Sequence, residues 1–484
     1  QEWGMKPAMG ILGALAIFAL SGFTIYRNVS VGNTYLTQEE SLDIREDYER
    51  TYRKYLGMLQ PKITDTEIFV DLMPEERNVK ARGVFQIANK GNEAIDSIFL
   101  NFNYSPKVFT MPVFKIGGQQ LEPAKQDARH NLSFYQLEDP LKPGETTTME
   151  IVVEGGFDAY PNEGSQRDIV FNGTFLNNSI FPNFGYSPQG EIGSDLERKK
   201  RGLEIRDYAL PPASDSIGQS YLLFEDDADF VTFKATVSTA PDQIAVAPGK
   251  LIKEYEKDGR RYFEYANEGK IQNFFNISSA SYEVAEETWQ NTNGRDVKVQ
   301  VFHHPEHDRN VDRFMEATKL SLEYFSDQFS PFQFDQMRIL EFPRYASFAQ
   351  SFPNTVPYAE SFGWVGNFSD PTDNDYAFTV TAHEVAHQWW GHQIAPSATR
   401  GANQISETMA QYSSLMVTKK RYGEASMGKF LKYDLDSYLR GRAGESKFEK
   451  TLLDNDTQGY VWYRKGAVIM YALSDLSAFP RTRR

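Results

Sequence analysis

The chain has 484 residues, of which 40% are hydrophobic and 14% aromatic, and this is enough apolar material for two packed domains. The formal net charge of -15 argues against a nucleic-acid partner, because such a surface needs clustered Lys and Arg. The chain contains no cysteine, which excludes disulfides, thiolate zinc sites and a cysteine nucleophile. Any metal site must therefore use His, Asp and Glu.

An uncharged stretch lies near the N-terminus, from Pro7 to Tyr26, between Lys6 and Arg27. Twenty such residues are long enough to cross a bilayer as a helix, so residues 1–30 are predicted to be a transmembrane segment. A secretory signal peptide is the alternative, and no small-residue cleavage site clearly follows the apolar run. One basic residue on each side does not determine the orientation in the membrane.

Residues 31–60 are predicted to form an amphipathic stalk helix. Aromatic and apolar residues recur there at three- and four-residue spacing, as Tyr48, Tyr52, Tyr55 and Leu59 illustrate. Packing against the body of the protein is favoured over lying on a lipid surface, because acidic residues dominate the polar face.

The remainder divides into two parts by its pattern. Residues 61–287 contain short alternating runs separated by turn residues, which predicts an N-terminal β-sandwich domain. The polar and aromatic segment 171–188 within it is predicted to be either a loop that borders a cleft or a packed structural loop. Residues 288–484 show strands followed by long helices, at 308–329, 377–390, 403–420 and 461–476, and this predicts a mixed α/β domain.

The sequence His383-Glu384-Val385-Ala386-His387 is an HExxH motif. On a helix, the two histidines lie one turn apart on one face and can bind a single metal ion. A chance occurrence in this composition has a probability on the order of one in a hundred, although an incidental exposed motif remains the alternative. Glu384 is the natural general base, because zinc lowers the pKa of a water and a nearby carboxylate can accept its proton.

A catalytic zinc needs a third protein ligand, and the candidates after the motif are His392 and Glu407. The metzincin pattern requires glycine at position 390 and histidine at 393, whereas this chain has Trp390 and Gln393. His392 is therefore predicted to be structural. Glu407 lies in a second predicted helix that can return antiparallel to the first, so one Zn²⁺ per chain is predicted. Its ligands are His383, His387 and Glu407.

The run HEVAHQWWGH followed by SETMAQY resembles the gluzincin peptidases, and the aminopeptidase N family in particular. The resemblance implies a multidomain α+β protein in which a thermolysin-like α/β zinc peptidase domain follows the β-sandwich. In that family 18 residues usually separate the second histidine from the glutamate, and here there are 19, with Ser406 at the usual position. Serine is a poor zinc ligand, so an extra loop residue is expected and Glu407 is retained.

Two further segments extend the resemblance. Tyr463-Arg464-Lys465-Gly466 is similar to the YxKG motif of the family, which implies that the Tyr463 hydroxyl stabilises the oxyanion of the reaction. Tyr460 and Tyr471 lie nearby, and a tyrosine of the core is the alternative.

The GxMEN motif of the family, whose glutamate holds the free amino terminus of the substrate, is absent. The corresponding stretch is 348–354, so Ala349 and Gln350 are predicted to line the substrate strand. Neither Gln350 nor Ser351 can pair with an ammonium group as a carboxylate would. Glu360 is a candidate substitute, and an endopeptidase or a barely active protein are the alternatives to an aminopeptidase.

Residues 60–476 also resemble a bacterial subgroup in which the peptidase follows the membrane part of an ABC-transporter permease. This resemblance, and the start at Gln1 rather than Met, imply a piece of a longer protein anchored in a bacterial inner membrane, with the peptidase domain extracytoplasmic. It also implies a peptide substrate, transporter subunits as partners and a truncated catalytic domain. A zinc-containing sensor or peptide-binding domain of a transporter is the alternative function.

A second histidine cluster, made of His303, His304 and His307, precedes the predicted helix at 308–329. Pro305 interrupts the spacing that a metal site would need. A second metal site and a plain strand-to-helix connection are therefore both open readings of this segment.

Overall fold

The computed structural model describes residues 5–32, 35–156, 168–224, 227–370 and 372–478. The helices are α1 (Met5–Tyr26), α2 (Gln38–Tyr52), α3 (Asp195–Lys200), α4 (Val311–Gln328), α5 (Tyr376–Ala386), α6 (Met409–Tyr422), α7 (Met427–Gly444) and α8 (Gly466–Ala478). The strands of the N-terminal part are β1 (Lys62–Met73), β2 (Asn78–Ala88), β3 (Ile95–Asn101), β4 (Phe109–Ile116), β5 (Gln119–Gln120), β6 (Lys125–Asp127), β7 (Leu132–Leu141), β8 (Thr146–Gly156), β9 (Thr174–Asn177), β10 (Asn183–Phe184), β11 (Ala228–Thr239), β12 (Ile244–Val246), β13 (Lys250–Lys257), β14 (Arg260–Ala266), β15 (Ile271–Gln272) and β16 (Asn276–Ala280). The strands that follow are β17 (Glu283–Gln290), β18 (Asp296–His303), β19 (Gln336–Phe342) and β20 (Thr355–Ala359).

The N-terminal apolar helix stands apart from the packed body. Among the described residues, the segment Pro7–Val31 is long and apolar enough to cross a membrane, and none of its most apolar stretch is buried against the rest of the chain. Signal sequences share these two properties, so length and composition alone do not distinguish an anchor from a leader.

The predicted stalk helix is α2, and it packs on the sheets. It begins with a capping box. The Thr37 hydroxyl accepts a hydrogen bond from the backbone N–H of Glu40, and the Glu40 carboxylate accepts one from the backbone N–H of Thr37. Its buried face carries Tyr48, which stacks on Tyr186, and Tyr52, which packs against Phe99 of β3. The carboxylate of Glu49, also buried, accepts two hydrogen bonds from Arg198 at 2.9 and 2.7 Å. This helix is therefore part of the body, as the spacing of its aromatic residues predicted.

The N-terminal part is built from two main sheets around one apolar core. The larger sheet has the strand order β13-β14-β11-β1-β2-β8-β4-β5, and the smaller has β10-β3-β7-β6. Alternating residues of both sheets, such as Ile68 and Val70 on β1 and Ile98 and Leu100 on β3, are buried in a common cluster. The period-2 pattern of the sequence predicted this arrangement, because alternate side chains of a strand share a face.

The α/β part has a sheet with the order β17-β18-β19-β20, in which β18, β19 and β20 run parallel. Strands β19 and β20 are buried along their whole length, as expected for parallel strands covered by other elements. Helices α4, α5 and α6 pack together in one apolar core beside this sheet. The sheet and α5 therefore form the rigid base on which the candidate site is assembled.

Candidate active site

Helix α5 carries the HExxH motif. Its N-cap is Asp375, whose side chain accepts from the backbone N–H of Phe378 at 3.0 Å. The helix ends at Ala386, four residues before the predicted end at 390. The chain leaves the helix there and turns sharply towards Gly391. The backbone φ of Gly391 is +121°, a value that glycine adopts readily and that strains other residues.

The two imidazoles of the motif face each other on one side of α5. The Nε2 atoms of His383 and His387 lie 3.1 Å apart. The Nδ1 atom of His387 donates to the carbonyl of Trp390 at 2.8 Å, which orients the Nε2 atom of that ring towards the shared space. The local i, i+4 geometry is the one that the sequence predicted.

Glu407 completes the cluster from the turn that leads into α6. Its Oε2 atom lies 3.4 Å from the Nε2 atom of His383 and 3.4 Å from that of His387. Ligand atoms of all three residues lie within 4.8 Å of one another, and within the described ranges this is the one such group of three His, Cys, Asp or Glu side chains. The structure thus brings together the three predicted zinc ligands.

The extra residue before Glu407 is absorbed in a π-helical turn, Gln404–Thr408, rather than in a loop. Such turns arise where one residue is accommodated within an α-helix, and they are frequent at functional sites. Ser406, at the position of the usual ligand spacing, is fully buried, and its hydroxyl has no hydrogen-bond partner within the described residues. The turn therefore keeps the Glu407 carboxylate directed at the histidines.

The three residues fit a zinc ion. The Oε2 atom of Glu407 is buried and lacks a hydrogen-bond partner within the described residues, as expected for an atom that a cation would satisfy. Two imidazole nitrogens and one carboxylate oxygen are a common donor set for catalytic zinc, which keeps a fourth position open. Without an ion, burial opposes charge on His387 but the Glu407 carboxylate raises its pKa to about 9. Zinc binding must therefore displace a proton.

Glu384 is buried beside these ligands without joining them. Burial raises the pKa of its carboxyl, while the neighbouring imidazoles and the backbone N–H of Ser351 act in the opposite direction. A carboxylate whose pKa lies above its ordinary value is better suited to accept and return a proton near neutral pH. This placement suits the predicted role of general base.

Tyr463 is the tyrosine that the structure places at the cluster. Its ring centroid lies 6.1 Å from that of His383, and burial together with the Glu407 carboxylate raises the pKa of its hydroxyl far above the ordinary value. It lies in a second π-helical turn, Val461–Lys465. The ring of Tyr460 lies beside that of Tyr438, with centroids 6.0 Å apart, and Tyr471 donates to Glu424 at 3.0 Å, so both alternatives make other contacts.

Ala349 and Gln350 lie in an extended segment, the edge strand at 348–351, which folds back on β20 and pairs with it through an isolated β-bridge. The backbone N–H of Gln350 donates to the carbonyl of Pro357 at 3.1 Å, and Ala349 lies opposite Tyr358. This strand ends next to the zinc cluster, because the backbone N–H of Ser351 faces Glu384. The position agrees with the predicted substrate strand.

Glu360 has other neighbours. Its Oε2 atom accepts from the backbone N–H of Arg344 at 3.2 Å, and its charge acts on His304 and Glu341. These contacts join it to the histidine cluster at 303–307 and its partner Glu341. The geometry favours a structural role over the predicted contact with a substrate ammonium group.

The histidine cluster at 303–307 forms the strand-to-helix connection. Glu341, fully buried on β19, accepts from His307 Nδ1 at 2.5 Å and from the backbone N–H of His304 at 2.7 Å. His303 Nδ1 donates to the carbonyl of its neighbour at 2.9 Å. The cluster holds the end of β18 to β19, and this explains the histidines without a second metal ion.

Gln388 is a residue that sequence reasoning missed. Its amide donates to the Ser351 hydroxyl at 2.8 Å and to the Phe352 carbonyl at 2.9 Å, and its oxygen accepts from the backbone N–H of Asn354 at 2.8 Å. His392 donates to the Ser351 carbonyl at 3.2 Å, and burial lowers its pKa to about 3. The only signal in the sequence was the position of Gln388 directly after the predicted zinc ligand His387.

Comparison with known proteins bears on this site. Residues 313–478 match the family described as Peptidase family M1 domain, and the three clustered ligands lie within that segment. The matched segment is a zinc metallopeptidase domain. Residues of the chain are 23% identical over 266 positions to human endoplasmic reticulum aminopeptidase 1, which covers 52% of this chain and 27% of that protein. The chain thus spans about a quarter of the length of this curated relative.

Solved structures show the same fold over most of the chain. An M1 zinc metallopeptidase from Deinococcus radiodurans has a TM-score of 0.55 at 15% identity, covering 87% of this chain and 83% of that one. A mutant of that enzyme bound to the substrate Tyr-Ser-Ala has a TM-score of 0.54 at 16% identity, covering 85% and 82%. The multidomain α+β fold predicted from the sequence is confirmed at this level.

Proposed function

We propose that this chain hydrolyses peptide bonds at one zinc ion held by His383, His387 and Glu407. The observation that carries the proposal is the meeting of these three side chains, within 4.8 Å, beside the buried carboxylate of Glu384. The organisation is aminopeptidase-like, in agreement with the family that residues 313–478 match. His383 lies on α5, His387 directly follows its last residue, and Glu407 lies in the turn that precedes α6, so the site needs only these two packed segments.

Zinc bound by these residues would act as a Lewis acid towards the peptide carbonyl and lower the pKa of a water to near neutrality. Glu384 accepts a proton from the attacking water and returns it to the departing amine. The hydroxyl of Tyr463 donates a hydrogen bond to the oxygen on which negative charge develops. Its high pKa keeps that hydroxyl protonated and able to donate throughout the physiological pH range.

The edge strand at Ala349 and Gln350 orients the substrate. A peptide that adds to this edge as an extended strand is held by main-chain hydrogen bonds, which do not depend on its sequence. The scissile bond then lies beside Glu384, because the next residue along the strand, Ser351, faces that carboxylate. Orientation of this kind supplies a large part of the rate enhancement in many enzymes.

We also propose that α1 anchors the protein in a membrane. The length and hydropathy of Pro7–Val31 support this, as does the exposure of its apolar side chains. The resemblance to peptidases joined to transporter permeases favours a bacterial inner membrane with the metallopeptidase part extracytoplasmic, and transporter subunits as its partners.

The test is to purify the full chain in detergent with zinc and to compare it with Glu384→Gln and His383→Ala. Glu384→Gln should retain about one zinc per chain and lose at least about a thousandfold in turnover of a mixed peptide library. His383→Ala should lose both zinc and turnover. Full peptidase activity in Glu384→Gln would contradict the proposed role of this residue.

A zinc-containing peptide-binding or sensor domain of a transporter is the second candidate. Ser351 favours it, because a neutral side chain stands where the related peptidases carry a carboxylate. In this case the wild-type chain would bind zinc and peptides but release every peptide uncut. The Glu384→Gln variant would bind the same peptides with the same affinity as the wild type.

A further inference from the structure

The side chain of Thr408 joins the two π-helical turns of the candidate site. Thr408 is the last residue of the turn that carries Glu407, and it is fully buried. Its hydroxyl donates to the carbonyl of Trp462 at 2.7 Å, and Trp462 directly precedes Tyr463 in the second turn. The neighbour of the third predicted zinc ligand is therefore bonded to the neighbour of the predicted oxyanion donor.

The contact between the two turns is close as well as polar. A Cβ atom on Gly466, the first residue of α8, would lie 2.6 Å from Cγ2 and 2.7 Å from Oγ1 of Thr408, closer than side-chain carbons normally approach such atoms. Position 466 therefore needs a glycine if the second turn is to meet the Thr408 side chain. Packing of this density leaves the two turns little freedom to shift relative to each other.

Ion pairs fix the second turn on its other side. Arg464 donates to the buried Asp434 of α7 at 2.7 Å, and Lys465 pairs with Glu449 in the segment that follows α7. These pairs hold the turn to α7 and its extension. The hydrogen bond from Thr408, in contrast, holds the turn to the segment that carries the zinc ligand.

The relative position of Glu407 and Tyr463 matters for the proposed chemistry. Burial and the Glu407 carboxylate both raise the pKa of the Tyr463 hydroxyl, so the two side chains lie close together. An oxyanion donor is effective only at hydrogen-bonding distance from the oxygen on which charge develops. A displacement of about 1 Å in such a group can cost about a hundredfold in rate.

We propose that Thr408 is a positioning residue, which sets the place of the Tyr463 hydroxyl relative to the zinc site. The inference rests on the proposed peptide hydrolysis and adds a residue to it. Thr408 acts through the Trp462 carbonyl rather than by contact with the substrate, so its contribution appears in kcat and not in KM or zinc content. Its loss matters only while the Tyr463 hydroxyl is present.

The first test compares Thr408→Val and Thr408→Ser in the full chain, purified in detergent and loaded with zinc. Valine keeps the shape of threonine without the hydroxyl, and serine keeps the hydroxyl. On one peptide that the wild type cuts, we expect Thr408→Val to lower kcat at least about tenfold, with KM and zinc content within about twofold of the wild type. Thr408→Ser should stay within about threefold in kcat. Equal kcat values for Thr408→Val and the wild type would overturn the inference.

Thr418→Val is the matched control. Thr418 is also fully buried, and its hydroxyl donates to the Ser414 carbonyl within α6 at 2.8 Å. This variant loses the same hydroxyl away from the two turns, so it should change kcat by less than about twofold. A loss equal to that of Thr408→Val would show a general effect of buried hydroxyls and overturn the inference.

A double variant separates positioning from a wider loss of structure. Tyr463→Phe already lacks the oxyanion donor, so the addition of Thr408→Val should lower kcat by less than about twofold more. A further loss of about tenfold in this background would overturn the inference and leave the peptide hydrolysis itself established.

Binding of a phosphinic tripeptide provides a readout that does not need turnover. Its tetrahedral, negatively charged phosphinate imitates the state that Tyr463 is proposed to stabilise. The Kd of the zinc-loaded chain should rise at least about tenfold in Thr408→Val and stay within about threefold in Thr408→Ser. Equal Kd values for Thr408→Val and the wild type would overturn the inference, and failure of the wild type to bind would overturn the inference and the proposed function together. The expected Kd pattern without cleavage of any peptide would support the inference and overturn only the proposed hydrolysis.

Discussion

The side-chain amide of Gln388, the residue after the proposed zinc ligand His387, donates to the hydroxyl of Ser351 at 2.8 Å. The same amide group also holds the Phe352 carbonyl and the Asn354 N–H. Three hydrogen bonds from one buried side chain thus tie the segment that follows the HExxH helix to the proposed substrate strand. In the proposed mechanism, this connection sets the distance between the zinc site and the scissile bond.

Gln388→Leu tests that connection. Leucine leaves the Asn354 N–H buried without a partner, at a cost of about 1–3 kcal/mol, while the Phe352 carbonyl keeps the N–H of Thr355 at 3.1 Å. We expect a lower melting temperature and a loss of at least about tenfold in kcat/KM, with zinc content unchanged. Gln393→Leu, the same substitution at an exposed position five residues later, is the control and should change neither quantity. Normal kinetics in Gln388→Leu would show that the strand is positioned by other contacts.

His387→Ala tests the ligand set. Elemental analysis of the wild-type chain should give about one zinc per chain, and the variant should retain less than about a tenth of that. His392→Asn is the matched control, because this buried histidine lies near the site but donates to the Ser351 carbonyl. Loss of zinc in the His392 variant, with retention in His387→Ala, would exchange the assigned roles of the two histidines.

Tyr463→Phe removes the proposed oxyanion donor and leaves the ring. Removal of one such donor costs on the order of 10²–10³ in kcat, so we expect this loss with little change in KM or zinc content. Tyr460→Phe, three residues earlier, should retain full activity, because its buried hydroxyl has no hydrogen-bond partner within the described residues. Steady-state kinetics on one cleaved peptide compare the two, and equal activities would remove Tyr463 from the mechanism.

Glu341 should make stability depend on pH. Burial raises its pKa to about 7, whereas its neighbours His304 and His307 act in the opposite direction. The folded chain therefore holds a proton that the unfolded chain releases above about pH 4.5, so the free energy of unfolding falls as pH rises from about 4.5 to 7, by at most about 3 kcal/mol. Above pH 7 this contribution is lost and stability no longer changes through this group.

Melting temperatures in detergent at several pH values check this prediction, with Glu341→Gln as the reference. Glutamine keeps an acceptor for the His304 N–H but does not titrate. The wild type should lose stability relative to the variant between pH 4.5 and 7, and the difference should be constant at higher pH. Parallel curves for the two proteins over the whole range would show that Glu341 keeps an ordinary pKa.

The sequence by itself determined the parts of this protein that depend on local spacing. The i, i+4 histidines share one face of a helix wherever that helix lies, so His383 and His387 could be recognised before any fold was known. The alternating pattern of the strands likewise predicted buried faces in the N-terminal sheets, because a strand repeats every two residues.

Only the tertiary structure decided what depends on packing between distant segments. Glu407 reaches the histidines because α6 packs on α5 and a π-helical turn absorbs one residue, which spacing alone described as a longer loop. The roles of Gln388 and Glu360 depend on a hairpin that folds back on β20, and both contacts join residues far apart in the chain. Patterns in the sequence do not predict such contacts, because these arise from the close packing of whole helices and strands.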